Sequence, residues 1–161
     1  MIILWGEDRL AFYNDAYIHV LGPKHPAALG TPGAVLWGEL WSSVRIDIDK
    51  AFAGESVWRG DIYLPMFRVG YLEETYFNYS MSPILVNGGK IGGILCPSFE
   101  VTNRVTHARR QHCLQEIGSK AGKALTEAEA CRLAAEGLST GPADVPFAMI
   151  YLVEGEGRQR Q

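Results

Sequence analysis

Cysteine is scarce in this chain. Cys96, Cys113 and Cys131 stand far apart with no C-x-x-C spacing, which argues against a disulfide framework and against a cysteine-rich zinc site. A reducing compartment fits that usage. Charge of one sign is lacking too: the net charge is −3 and no basic run or stripe is present, so nucleic acid is not an expected partner. No apolar run reaches bilayer-spanning length, so direct membrane insertion is not expected. The opening Met1 to Trp5 is too short, and too soon followed by Glu7 and Asp8, to read as a signal peptide. A cytoplasmic location is the expectation; any membrane anchor of a larger protein would lie outside these residues. What is present is ordinary for a globular protein, with 47 % apolar and 20 % charged residues among 161. That length allows one full domain and part of another.

The periodicity changes along the chain. Ile2 to Trp5 and Leu10 to Tyr13 read as two short strands around the turn-rich Gly6-Glu7-Asp8, a hairpin. Asn14 or Asp15 can cap a short helix whose face carries Tyr17, Val20 and Leu21, ended by Gly22-Pro23. Irregular turns follow, and then a longer helix from about Leu40 to Phe52, closed by Gly54. Trp58 to Phe67 reads as one extended segment and Glu73 to Ile84 as another. In the second, Thr75, Phe77, Tyr79 and Met81 share one face, and Tyr76, Asn78, Ser80 and Ser82 the other. Asn87-Gly88-Gly89 marks a hairpin turn, and Ile91 to Val101 returns with a break or bulge at Pro97. The helical block lies between strand pairs, which predicts an α+β domain over 1–102: a five-stranded antiparallel sheet with helices on one face.

Residues 103–125 turn helical, with Leu114, Ile117, Ala121 and Ala124 as a coiled-coil-like seam weakened by Gly118 and Gly122. Thr126 to Glu129 is a capping box that opens another helix. Pro146 to Val153 is a continuous apolar run of the kind a buried strand shows. A helix plus one strand makes no core, so 126–161 read as the truncated start of a further α/β domain.

The first hundred residues resemble the PAS sensory family. The resemblance rests on Leu10 to Tyr17, on His25 to Gly30, on Glu73 to Ile84, on Gly92 to Leu95 and on the exit Glu100-Val101-Thr102. Residues 124–153, notably Ala143 to Ala148, resemble the first helix and strand of a GAF domain. This serial layout is similar to that of bacterial sensor histidine kinases, and it implies a homodimer joined to downstream signalling domains in the same chain. His107 and His112 lack the following acidic residue and Pro of a phosphoacceptor, so they read as solvated helix residues.

The resemblance also implies a pocket that can hold a cofactor. Haem in this family usually hangs on a histidine of the longer helix; Leu40–Phe52 has none, and His19 and His25 lie elsewhere. Photoreceptor members bind flavin through a cysteine in the helical segment, and no cysteine lies between Met1 and Leu95. Haem and flavin are disfavoured, no cofactor or metal is assigned, and Cys96 reads as a small core hydrophobe. Tyr13, Trp37, Trp41, Trp58, Phe77 and Tyr79 are placed either to pack a core or to line a cavity for an unidentified small organic ligand. Asn14 and the hydroxyls of Tyr13 and Tyr79 are its polar candidates.

Two functions follow. The first is a signal-input and dimerisation module with no catalytic centre, relaying through the Leu114, Ile117 and Ala121 face of the connector helix. The alternative is a small cone-shaped enzyme of proton-transfer chemistry, which needs a buried carboxylate beside a tyrosine; Asp15 with Tyr13, or Asp61 with Tyr63, are its candidates.

Overall fold

Two short apolar runs pair at the start of the chain. Strand β1 (Ile2–Trp5) lies antiparallel to β2 (Leu10–Tyr13), with Ile2 opposite Tyr13 and Trp5 opposite Leu10. Gly6, at φ 73°, makes the turn. The computed structural model describes residues 1–152, and the chain divides into two units, Met1–Thr102 and Asn103–Gln161.

In the first unit two single-turn helices follow the hairpin, α1 (Ile18–Leu21) and α2 (Gly33–Leu36), and then the longer α3 (Trp41–Phe52). Val44, Asp47, Ile48 and Ala51 form the buried stripe of α3, as a helical repeat requires. The remaining strands are β3 (Val57–Tyr63), β4 (Met66–Phe67), β5 (Leu72–Glu73), β6 (Tyr76–Leu85), β7 (Ile91–Cys96) and β8 (Ser98–Glu100). The sheet runs β2-β1-β7-β6-β3, with β8 also paired to β6. Every pairing is antiparallel. Pro97 divides the returning strand into β7 and β8; counted as one, they complete the expected α+β, five-stranded PAS-like sheet. Helix α3 packs on β3, β6 and β7. Ile48 of α3 and Ile94 of β7 are 1 % and 0 % exposed. Side chains of this kind each contribute about 1.5–3 kcal/mol when fully buried.

Three sequence expectations are corrected. Trp58 to Phe67 is not one strand: Pro65 offers no N–H to a ladder, and Met66–Phe67 instead pairs with Leu72–Glu73 as a separate hairpin around Gly70, at φ 90°. The chain still joins the two ladders, because Leu64 N–H donates to Thr75 O at 2.9 Å and the Thr75 hydroxyl donates to Leu64 O. For the same reason the next strand begins at Tyr76 and not at Glu73.

Helix α4 (Thr102–Ala121) starts on the last residue of the first unit and otherwise belongs to the second, which also contains α5 (Glu127–Leu138). The capping box forms: Glu129 N–H donates to Thr126 Oγ1 at 3.2 Å, and Leu125 N–H to Glu129 Oε2 at 3.0 Å. Gly137 allows the close approach of α5 to α4, since a Cβ there would lie 2.7 Å from Ile117 Cα. Asp144 accepts from Arg109 Nε at 2.5 Å and from Arg110 Nε at 2.8 Å, which ties the turn after α5 to α4. The third correction lies here. Residues 146–152 form no strand, and Phe147, Met149, Ile150, Tyr151 and Leu152 are exposed; Val153 lies outside the described residues. No described strand pairs with this run, and an apolar segment without a ladder partner has nowhere to place its N–H and C=O groups except in water. Among the described residues the second unit is therefore helical, not α/β.

Two glycines separate packing from propensity. A Cβ at Gly93 would stand 2.6 Å from the Leu4 carbonyl oxygen, whereas one on Gly118 in α4 meets nothing within 4 Å. Gly93→Ala is expected to lose about 1–3 kcal/mol, and Gly118→Ala to gain about 0.5–1 kcal/mol, read from denaturation midpoints. A neutral Gly93→Ala would mean that β1 and β7 pair less closely than described.

Candidate functional site

Apolar side chains from the inner face of the sheet and from the helices above it do not fill the space between them. They leave a cavity of about 60 Å³. Ile2 and Leu4 of β1, Val44 and Ile48 of α3, Phe77 and Met81 of β6 and Ile94 of β7 form much of its wall. The strict alternation of β6 does this: its odd-numbered residues from Phe77 to Met81 are buried, and the even ones face outward.

The lining side chains that carry a polar hydrogen are those of Tyr17, Trp37, Tyr79, Cys96 and Ser98. Burial pushes the Cys96 thiol up to about 12, so it stays protonated. Burial, and then the neighbouring Cys96, raises the Tyr17 phenol above its ordinary value. Ser98 Oγ opposes that rise, yet it is buried without a hydrogen-bond partner of good geometry in the protein. Its neighbour across the ladder, Tyr79, is committed: its hydroxyl donates to Asp47 Oδ2 at 2.8 Å.

Asp47 is the buried carboxylate of the site, 3 % exposed. Burial alone would raise its pKa, but hydrogen bonds from Arg59 and Tyr79 outweigh that and hold it below the ordinary carboxylate range. Arg59 grips it with both arms, Nε to Oδ2 at 2.8 Å and Nη2 to Oδ1 at 2.5 Å. Arg59 faces inward by alternation, two residues after the buried Val57, and a β-bulge follows it: the register slips between Arg59 and Ile62, and Asp61, at φ 52°, donates its N–H to Asn78 Oδ1 at 2.7 Å.

A second ion cluster stands where the sheet leads into α4. Arg68, its side chain 13 % exposed, donates to Glu73 through Nε and Nη2, each at 3.0 Å, and to Glu100 Oε2 through Nη1 at 2.9 Å. Thr102, the first residue of α4, donates its hydroxyl to Glu100 Oε1 at 2.8 Å and accepts from Tyr76 N–H at 3.0 Å. Glu100 and Thr102 belong to the Glu100-Val101-Thr102 exit singled out in the sequence.

Of the residues expected to touch a ligand, Trp37, Phe77 and Tyr79 line the cavity. Tyr13, Asn14 and Trp41 do not. The Tyr13 hydroxyl pairs with His25 Nδ1 at 3.0 Å, Asn14 Oδ1 accepts from the Met1 ammonium at 3.1 Å, and the half-buried Trp41 lies under the Arg9 guanidinium. Trp58 is 68 % exposed on the outer face. Among the relay residues Leu114 is exposed, while Ile117 and Ala121 are half-buried. Asp15 and Asp61 are both exposed, so neither is the carboxylate an enzyme would need. Asp47 beside Tyr79 has the right composition but the wrong chemistry: a general base works best with its pKa near the operating pH, and Arg59 drives this one down. Sequence reasoning missed Asp47 and Ser98. Asp47 had a signal, an acidic residue three after Val44 and one before Ile48, inside the apolar stripe of α3.

No family model matches the sequence, and no curated protein matches it either. Among solved structures the chain is similar to a sensory box sensor histidine kinase from Vibrio cholerae, at TM-score 0.51 and 19 % identity over 63 % of this chain and 80 % of that one. It is also similar to a LOV protein from Rhodobacter sphaeroides, at TM-score 0.50 and 14 % identity over 88 % of this chain and 84 % of the other. At these identities the likeness is one of fold. The first unit has the PAS fold. The cavity lies between its sheet and helices, and Arg68 is bonded to Glu100 of β8. No helix among the described residues is long and apolar enough to cross a membrane, and no described cluster of His, Cys, Asp and Glu could hold a metal.

The Asp47 lock titrates in one direction. Its folded pKa lies below the unfolded one, so its stabilisation is complete above about pH 4 and is lost as pH falls through the folded value. Asp47→Asn is expected to cost about 2 kcal/mol at pH 7 and to flatten the fall in stability below about pH 4, measured by urea denaturation across pH. Equal acid sensitivity in wild type and variant would show that other carboxylates carry it.

Proposed function

We propose that this chain is the signal-input part of a bacterial signal-transduction protein, a two-component sensor histidine kinase being the parent it suits. A small molecule or a partner acts on the PAS unit, and the change leaves through β8 and α4. The observation that carries this reading is the Arg68–Glu100–Thr102 chain of bonds, which fastens the first residue of α4 to the strand that also walls the cavity. A cavity of about 60 Å³ suits a molecule of few atoms better than haem or flavin. Neither His19 nor His25 lines it, in keeping with a guest other than histidine-ligated haem. The parent is expected in the cytoplasm, as a homodimer, with further signalling domains after α4. The apolar side chains of Phe147, Met149 and Tyr151 are of the kind that a GAF-like sheet buries.

If the exit is latched by Arg68, then Arg68→Ala should speed amide exchange in residues 102–106 about ten-fold while β1, β6 and β7 keep their protection. Unchanged exchange at those amides would remove the relay.

Dimerisation has its own variant. Leu114 is 68 % exposed on α4, whereas Ile117 also packs beside Gly137, so Leu114→Asp perturbs self-association without disturbing α5. Sedimentation should show a wild-type dimer and a monomeric Leu114→Asp. A wild-type monomer, or a dimer indifferent to the change, would exclude the α4 seam.

A further inference from the structure

The cavity wall contains one buried hydroxyl, Ser98 Oγ, that makes no hydrogen bond of good geometry within the protein; the Tyr17 phenol is its one polar neighbour there to act on it. Ser98 Oγ is shielded from solvent and has only the poorly aligned Tyr17 phenol for company, although it borders an open volume. An unmet buried hydroxyl is costly, and the cost is recovered when a ligand supplies the missing bond. Tyr79 cannot compete for that ligand as a donor, because its proton is given to Asp47.

The wall also fixes charge. None of the lining side chains is Lys, Arg, His, Asp or Glu. The nearest carboxylate, Asp47, is already matched by Arg59. A charged guest would be desolvated with no counter-charge, which is prohibitive at this burial. Size follows from volume: about 10–15 Å³ seats one water-sized centre, so about 60 Å³ seats about four to six.

We infer that the cavity takes an uncharged molecule of about four to six non-hydrogen atoms, a short ketone or alcohol in chemical class, held by a hydrogen bond to Ser98 Oγ. This rests on the reading of the cavity as the sensory site, and it gives that reading a ligand class. It also names the strand that feels the guest. Ser98 lies two residues before Glu100 on a strand of only 3 residues, so a group bonded to Ser98 bears on the Arg68 latch through the shortest ladder in the sheet.

The test is a titration of the full chain followed by amide NMR, with acetone, 2-propanol and acetate as probes. Acetone and acetate have equal numbers of heavy atoms and differ in charge. Saturable shifts at Ile94, Cys96 and Ser98 are expected with acetone and 2-propanol, and none there with acetate. Ser98→Ala removes a hydroxyl that makes no well-formed hydrogen bond in the protein, so it should fold as the wild type does while its Kd for acetone rises about five-fold. Acetate binding as well as acetone, shifts that never saturate, or an unchanged Kd in Ser98→Ala would each overturn the assignment, leaving ordered water as the partner of Ser98. If it fails while Arg68→Ala still loosens residues 102–106, only the ligand class falls. If both fail, the sensory reading falls with it.

Discussion

A carboxylate that is 3 % exposed survives only with compensation, and the rest of the first unit is arranged around the compensation that Asp47 receives. Arg59 from β3 and Tyr79 from β6 both bond it, so one side chain of α3 is held by two neighbouring strands. Helix α3 can neither slide along the sheet nor settle onto it without breaking charge-assisted bonds. The cavity persists beside that fixed point. The bulge in β3 is part of the same device. Arg59 faces Tyr79 and Ile62 faces Phe77, three residues spanning what β6 spans in two. Without the extra residue the position opposite Phe77 would carry Asp61, a second carboxylate, in place of the apolar Ile62.

The fold was legible wherever one physical signal dominated. The alternation of Thr75, Phe77, Tyr79 and Met81 gave the central strand because burial on one face leaves a period of two and nothing local competes with it. Asn87-Gly88-Gly89 gave the hairpin because Gly88 and Gly89, at φ 82° and 74°, adopt a conformation other residues avoid. The site was harder to read. Trp37, Phe77 and Tyr79 stood out as large side chains on inward faces, but Tyr13 and Trp41 have the same composition and lie at the edge, held by His25 and Arg9. Asp47 was hidden because its partners are 12 and 32 residues away, and a helical stripe read for hydrophobicity passes over a charge. Ser98 was hidden because what distinguishes it, a missing partner, exists only once the chain has folded. Residues 146–152 misled because an apolar run states that burial is favourable without stating what will cover it.

The outer face of the sheet departs from the usual rule that the solvated side of an antiparallel sheet is polar. Trp5 and Phe12 are exposed at one end, and Trp58 and Phe99 at the other. Their partners explain how they are tolerated. Trp58 lies opposite Ser80, Phe99 opposite Asn78, and Trp5 opposite Gly93, so three of the four rings sit beside a small or polar residue across the ladder; Phe12 lies opposite Ile3. Gly92 and Gly93 leave the space that the Trp5 ring occupies, since a Cβ on either would fall within 3.3 Å of the ring.

Pro97 connects these features. By ending β7 it leaves β8 as a strand of 3 residues, held to β6 by a short ladder and to the hairpin of β4 and β5 by Arg68. A long continuous strand would spread any displacement over many bonds and lose it. A short one moves as a unit or not at all, because too few ladder bonds oppose its movement. Its first residue borders the cavity and its last is bonded to the start of α4. The proline, which lacks an N–H and so cannot continue a ladder, uncouples β8 from the stiff centre of the sheet while covalently retaining it. The ladder of β8 is the shortest in the sheet, and the ion pairs of Arg68 with Glu73 and Glu100 are what hold that strand besides it.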